Sequence, residues 1–126
     1  MRHINITATE KTPAIVGDTE EGTLTISGKS LPENPRDFYT PFSDWLNEFY
    51  KTPSNSIKVV FDIEYFNTST SNILVEILRQ LQILRENKEV SVIWRYEEDD
   101  IDMEDVGNDF KIMVGDLITL EPKKPA

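Results

Sequence analysis

A run of six small polar residues, NTSTSN at positions 67–72, is the part of the sequence best suited to chemistry. Four of them carry hydroxyl groups, namely Thr68, Ser69, Thr70 and Ser71. The run lies between an apolar predicted strand and an amphipathic predicted helix. A helix N-terminus directs unpaired backbone N–H groups and a positive partial charge at the preceding loop. A phosphate on one of these hydroxyls, with about 1.5 to 2 negative charges and three acceptor oxygens, would be tolerated there.

Helix capping is the alternative explanation for this run. Ser, Thr and Asn are the preferred N-cap residues, so many helices begin with one of them. A cap needs only one such residue, whereas the run contains six. No acidic residue stands three positions after any residue from Thr68 to Asn72, so a capping box does not explain the run. Both capping and phosphorylation remain open on these residues alone.

Two groups of carboxylates could also carry chemistry. Asp62 and Glu64 stand two apart on a predicted strand and so share one face, where they could serve acid–base catalysis or bind Mg²⁺. We expect a helix over that face, and a structural network or the positioning of Thr68 in a kinase as their role. Residues 97–105, EEDDIDMED, hold seven carboxylates in nine positions without the spacing of a calcium loop. We expect a solvated loop that could steer a basic partner.

Signals for an enzyme or a metal site are otherwise weak. His3 is the single histidine and has no companion ligand near it in the sequence, and there is no cysteine. The chain has no Gly-rich phosphate loop and no nucleophile elbow. We therefore expect no catalytic residue, no metal and no cofactor. A small hydrolase that depends on Asp62 or Glu64 is the enzymatic alternative.

Length and charge restrict the class of protein. A chain of 126 residues fits one domain, residues 1–126, with a proper core. The net charge of −10 argues against binding to nucleic acid or to anionic membranes. Residues 1–10 are polar and lack the apolar core of a signal peptide, and no apolar run is long enough to span a bilayer. We expect a cytoplasmic protein.

The hydrophobic pattern predicts an α/β fold, a mixed β-sheet with helices packed against it. An antiparallel meander of short strands is predicted from three N-terminal segments, which are residues 4–9, AIVG and TLTISG. Ile57 to Phe66 is apolar on both faces, with Tyr65 among the residues of its main face, and so belongs in the middle of the sheet. A helix is predicted over Arg36–Thr52, with an apolar stripe of Phe38, Phe42, Trp45, Leu46 and Phe49. After the central strand we expect a helix from about Thr70 to Asn87 and a strand over Val90–Tyr96. The remaining elements are a weaker helix over Asp102–Lys111, an edge strand near Leu117 and a frayed end over Lys123–Ala126.

The segment NTSTSNILVEIL resembles the phosphorylation loop of STAS domains, the fold of anti-sigma-factor antagonists. Those domains carry Asp-Ser-Ser-Gly or a close variant before a helix, and the first hydroxyl after the acidic residue takes the phosphate. On that match Asn67 stands at the Asp position and Thr68 at the phosphoacceptor, while Thr70 replaces the usual Gly. The resemblance implies that Asn67 and Ser69 shape the loop and that the helix from Thr70, including Ser71, presents a docking surface.

A second resemblance covers nearly the whole chain. TPAIVGD from Thr12, LPENP from Leu31, YFNTSTS from Tyr65 and VSVIWRYEEDDIDMEDVGNDF from Val90 are similar to the SiaC family of bacterial regulatory phosphoproteins. The resemblance implies a single STAS-like domain with Thr68 as phosphoacceptor. It also implies a cognate Ser/Thr protein kinase of the GHKL-like type, a PP2C-like phosphatase and a diguanylate cyclase.

In that family the unphosphorylated protein binds and activates the cyclase, which raises cyclic-di-GMP and favours biofilm formation. Two other functions stay open beside this one. The first is a constitutive protein-interaction scaffold in which the loop merely caps the helix. The second is a partner-switching protein of the anti-sigma-factor antagonist type.

Overall fold

The N-terminal strands form an antiparallel meander, as their alternating pattern predicts. In the computed structural model, which describes residues 3–18 and 20–125, β1 (Ile4–Ile6) pairs with β2 (Ala14–Asp18), and β2 pairs with β3 (Thr23–Ser30). Residues 7–13 connect β1 to β2, and the Thr9 N–H donates a hydrogen bond of 2.9 Å to the Thr12 carbonyl within this connection. The meander forms one half of the sheet.

The other half of the sheet is parallel. Strand β3 is followed by β4 (Ser56–Phe66), β5 (Glu89–Glu97) and β6 (Ile118–Lys123), and neighbouring strands in this series are all parallel. The strand order is β1-β2-β3-β4-β5-β6, so β4 lies inside the sheet and β6 at its edge, as predicted. The connections are α1 (Pro35–Tyr50), α2 (Thr68–Leu84) and α3 (Ile101–Val114), the last followed by the 3₁₀ turn Gly115–Leu117. The predicted α/β fold with a mixed sheet is confirmed.

The three helices cover one face of the sheet. Each crossover leads to the next strand in the same direction, and crossovers of one hand then place their helices on the same side. Helix α2 contacts both α1 and α3. Between helices and sheet lies an apolar core that includes Phe42, Phe61 and Trp94, each no more than 1% exposed. The opposite face of the sheet carries Asp62, and none of the helices in the described residues covers it, so the expected helix cover there is wrong.

Several predicted boundaries and faces need correction. Helix α2 begins at Thr68, two residues before the predicted start, because Asn67 caps it. Tyr65 is 57% exposed rather than on the core face, because a register shift between β3 and β4 leaves an extra residue, Glu64, between paired positions. In α1 the buried stripe includes Tyr39, whereas Phe38 is only partly buried.

Two further corrections concern the acidic segment and the C-terminus. Only residues 98–100 of the segment 97–105 connect two elements, because β5 continues to Glu97 and α3 begins at Ile101. Asp100 caps α3 by accepting a hydrogen bond of 3.1 Å from the N–H of Met103, and acidic side chains suit a helix N-terminus. Lys123 is not frayed but is the last residue of β6. The prediction for Ala126 falls outside the described residues.

Candidate functional site

Thr68 is the first residue of α2 and follows the C-terminal end of the central strand β4. Its side chain and that of Ser69 are both exposed. Within the described part of the chain, neither hydroxyl has a hydrogen-bond partner. In open α/β sheets, binding sites form at the C-terminal ends of the parallel strands, where helix N-termini also gather. Both hydroxyls are therefore accessible to a partner at the edge where such sites occur.

Asn67 performs the capping of α2. Its side-chain Oδ1 accepts a hydrogen bond of 2.9 Å from the N–H of Thr70, and its carbonyl accepts one of 3.1 Å from the N–H of Ser71. One residue of the polar run thus satisfies the helix end. The hydroxyls of Thr68 and Ser69 have no part in the cap, so capping alone does not account for them.

Thr70 lies on the opposite side of the helix start from these hydroxyls. Its side chain is 0% exposed, and its Oγ1 lies 3.1 Å from both the carbonyl oxygen and the Oγ of Ser30 in β3. A partner cannot touch this side chain, so the expected place of Thr70 on a docking surface is wrong. Ser71 is half-buried and contributes less surface than Thr68 or Ser69.

Ser30 and Tyr39 complete a buried hydroxyl cluster beneath the site. The Ser30 Oγ lies 2.6 Å from the Tyr39 OH, and both side chains are at most 1% exposed. Burial raises the pKa of Tyr39 to about 12, although the hydrogen bond with Ser30 acts in the lowering direction. Sequence reasoning missed both residues. The 3–4 spacing of Tyr39 with Phe42, Leu46 and Phe49 could have found Tyr39.

The edge of the sheet around Thr68 is acidic. The ends of β4 and β5 are neighbours there, and one small cavity of about 100 Å³ is lined by the carboxylates of Asp62, Glu64, Glu97 and Asp100 together with Lys123. Two large apolar side chains at the same edge are exposed, Tyr65 by 57% and Ile101 by 68%. A protein that docks here would cover apolar side chains surrounded by carboxylates.

Asp62 belongs to an ion-pair network on the helix-free face of the sheet. Its carboxylate lies 2.6 Å from the Lys123 Nζ and 3.9 Å from the Arg95 guanidinium, which is also 2.8 Å from Glu121. The expected structural network is confirmed for Asp62. Glu64 is exposed and is not part of this network. Both carboxylates line the small cavity at the end of β4, where Lys123 and Arg95 hold Asp62 in ion pairs.

The described residues contain neither a cluster of metal ligands nor a membrane-spanning helix. Over residues 3–18 and 20–125, no group of three or more His, Cys, Asp or Glu side chains is arranged to hold a metal ion. His3 lies 3.8 Å from Asp18, at the far edge of the sheet from Thr68. Among the described helices, none combines the length and apolar character needed to cross a bilayer.

Comparisons with known proteins agree on one family. Residues 6–122 match the family model described as SiaC family regulatory phosphoprotein. An uncharacterised protein of Pseudomonas aeruginosa strain UCBPP-PA14 is 31% identical over 98 residues, which are 77% of this chain and 78% of the relative.

Solved structures give the same result. A crystal structure of apo-SiaC from Pseudomonas aeruginosa is similar with a TM-score of 0.89 and 25% identity, over 96% of this chain and 99% of that one. A second match is SiaC in the crystal structure of the diguanylate cyclase SiaD in complex with its activator SiaC from Pseudomonas aeruginosa. It has a TM-score of 0.89 and 25% identity, over 95% of this chain and 99% of that one. With its family match over most of the sequence and a fold shared along nearly the full length, this chain belongs to the SiaC family of regulatory phosphoproteins.

Proposed function

We propose that this protein is a phosphorylation-switched regulator, with Thr68 as phosphoacceptor, whose unphosphorylated form binds and activates a diguanylate cyclase. The observation that carries the proposal is the exposed, unbonded hydroxyl of Thr68 at the first position of α2. Membership of a regulatory phosphoprotein family supports the switch. The crystal structure of a related SiaC with the cyclase SiaD supports the partner.

A phosphate on Thr68 changes the surface without disturbing the fold. Among the described residues the hydroxyl has no hydrogen bond that phosphorylation would break, and the N-terminus of α2 interacts favourably with negative charge, by about 0.3–1 kcal/mol. A partner packed over the same edge, which also carries Glu64 and Glu97, would instead enclose a dianion, unless it supplied Arg or Lys. The same modification therefore spares the domain and opposes docking.

The proposal includes two enzymes that act on this protein. A cognate Ser/Thr kinase adds the phosphate, and a PP2C-like phosphatase removes it. The protein itself, acting as one domain over residues 1–126, catalyses nothing and works in the cytoplasm, where the kinase finds ATP and the cyclase finds GTP. Cyclase activation raises cyclic-di-GMP and so promotes biofilm formation.

The central experiment compares Thr68→Ala with Ser69→Ala, a matched loss of an exposed hydroxyl one residue away. Each protein is incubated with ATP and a lysate of its own cells as the source of the kinase, and its intact mass is measured. Wild type and Ser69→Ala should gain one phosphate, which a PP2C-type phosphatase removes, and Thr68→Ala should gain none. A constitutive scaffold would gain none in any variant, and phosphorylation of Thr68→Ala at the wild-type rate would exclude Thr68 as the acceptor.

Thr68→Asp tests whether negative charge at this position weakens partner binding without destabilising the fold. The variant should bind the cyclase at least about tenfold more weakly, because it introduces a buried charge at the contact. Its thermal midpoint should stay within about 2 °C of wild type, because an acidic side chain is tolerated at a helix start. Isothermal titration and circular dichroism measure the two quantities. Binding that equals wild type, or a collapsed fold, contradicts the proposal.

A further inference from the structure

Three buried hydroxyl groups form one chain of hydrogen bonds beneath the exposed Thr68. They come from Tyr39 in α1, Ser30 at the end of β3 and Thr70 in α2, and all three side chains are at most 1% exposed. The Tyr39 OH lies 2.6 Å from the Ser30 Oγ, which lies 3.1 Å from the Thr70 Oγ1. The chain thus joins three elements that are distant in sequence.

One arrangement of protons satisfies every group in this chain. The Thr70 hydroxyl donates to the Ser30 carbonyl at 3.1 Å, the Ser30 hydroxyl donates to Thr70, and the Tyr39 phenol donates to Ser30. The phenol keeps the proton that it donates, because burial raises its pKa. If Ser30 instead donated its proton to the Tyr39 oxygen, the phenolic proton would have no acceptor among these three hydroxyl groups. An unpaired proton of this kind is costly in a buried site.

Ser30 also bonds to Asn67, the residue that precedes the exposed pair Thr68 and Ser69. Its carbonyl accepts a second hydrogen bond, of 3.3 Å, from the N–H of Asn67. The exposed residues Thr68 and Ser69 therefore span the distance between two residues, Asn67 and Thr70, that are both bonded to Ser30. The two flanks are also bonded to each other through the cap.

We propose that Ser30, Thr70 and Tyr39 are positioning residues that hold the Thr68–Ser69 segment in one conformation for its protein partners. This inference rests on the proposed function, since it gives the buried chain the role of presenting the phosphoacceptor. A kinase must align a hydroxyl with the transferred phosphoryl group, and a small misplacement reduces the rate sharply. Thr70, buried and bonded to Ser30, locks the segment at the position where STAS loops usually have Gly.

The test removes one hydroxyl while keeping the shape of the side chain. Thr70→Val should lower kcat/KM for phosphorylation of Thr68 by the kinase at least about fivefold, mostly through kcat, since its docking surface is untouched. Thr70→Ser keeps the hydroxyl and should restore the value to within about twofold. Tyr39→Phe should have a smaller effect of the same sign, because it removes the far end of the chain.

Thr52→Val is the matched control. The Thr52 Oγ1 donates a hydrogen bond of 2.8 Å to the Phe49 carbonyl at the C-terminal end of α1, away from the segment. It should lower the thermal midpoint as Thr70→Val does, yet leave kcat/KM within about twofold of wild type. Equal losses in both variants, or an unchanged Thr70→Val, would overturn the inference and leave the assignment of Thr68 intact. Should Thr70→Val fail to fold, Tyr39→Phe carries the same comparison.

A second measurement needs no kinase and separates this inference from the proposed function. Amide hydrogen exchange at Asn67 and Ser71 should be about fivefold faster in Thr70→Val than in wild type, because their hydrogen bonds depend on the anchored segment. The Thr52 amide, bonded to the Phe49 carbonyl, should be unchanged. Unchanged exchange at Asn67 and Ser71 would overturn the positioning role whether or not Thr68 is phosphorylated.

Discussion

At the scale of single residues, Tyr39 has the most perturbed environment of the buried hydroxyl chain. Its phenol is 1% exposed, and burial raises its pKa from the ordinary value near 10 to about 12. The hydrogen bond with Ser30 opposes this shift but is the smaller effect. The folded protein therefore favours the protonated phenol more strongly than the unfolded chain does.

This difference predicts a loss of stability in alkaline solution. The contribution of Tyr39 is complete below pH 10, where the phenol is protonated in both states, and is lost as pH rises to about 12. The slope is at most about 1.4 kcal/mol per pH unit. Urea unfolding of wild type and Tyr39→Phe, measured between pH 9 and about 11, should give free energies of unfolding that converge. A constant difference between the two proteins would contradict the assigned environment.

At the scale of elements, Gly107 allows α3 to lie close against β5. A methyl group at this position would lie 2.5 Å from Cδ1 and 3.0 Å from Nε1 of Trp94. The indole cannot move aside easily, because its Nε1 donates a hydrogen bond of 2.9 Å to the Met103 carbonyl and its ring packs edge-on against Phe110. The close packing of α3 therefore depends on the present side-chain conformation of Trp94.

Gly107→Ala should lower the free energy of unfolding by about 1–3 kcal/mol, although Ala favours helices by about 1 kcal/mol over Gly. The expected sign follows from the overlap with Trp94, which forces α3 or the ring to shift. Asn108→Ala, at the exposed neighbouring position, is the control and should be neutral or slightly stabilising. Thermal melts followed by circular dichroism measure both, and a Gly107→Ala protein as stable as Asn108→Ala would refute the close packing.

At the scale of the whole molecule, acidic charge is distributed unevenly. The net charge is −10, and seven carboxylates fall within residues 97–105, at the same edge of the sheet as Thr68. The ion-pair network around Asp62 and Arg95 lies on the helix-free face and binds β4, β5 and β6 together. Self-repulsion at the edge opposes the compact state, and it should also favour partners with basic docking faces.

Salt should therefore stabilise the protein. Raising NaCl from about 0.01 M to about 0.1 M shortens the Debye length from about 30 Å to about 10 Å and screens this repulsion. The thermal midpoint should rise by about 2–4 °C, and KCl should act equally. A variant with Glu98→Gln and Asp99→Asn, both exposed, should be less sensitive to salt. A midpoint that falls with salt would mean that surface ion pairs outweigh the repulsion.

Local pattern was sufficient for the order of the elements and the place of the polar run. The apolar residues on both faces of β4 predicted a central strand, and the 3–4 spacing in α1 and α2 predicted helices packed against the sheet. Both predictions are possible because the spacing of apolar residues along the sequence indicates which faces of an element are buried. The place of NTSTSN directly after β4 also followed from local pattern, although all of its residues but Asn67 lie inside α2 rather than before it. These features depend on neighbours along the chain.

Only the tertiary structure decided which hydroxyls face solvent and which support them. Thr68 and Thr70 are two residues apart and chemically identical, yet one is exposed and the other is bonded to Ser30, forty residues away in sequence. The Asp62–Lys123 ion pair and the exposure of Tyr65 likewise depend on strand register. Contacts between distant segments arise from packing, and no local pattern encodes them. The sequence could therefore point to the hydroxyl of Thr68, but not to the buried residues that anchor its neighbours.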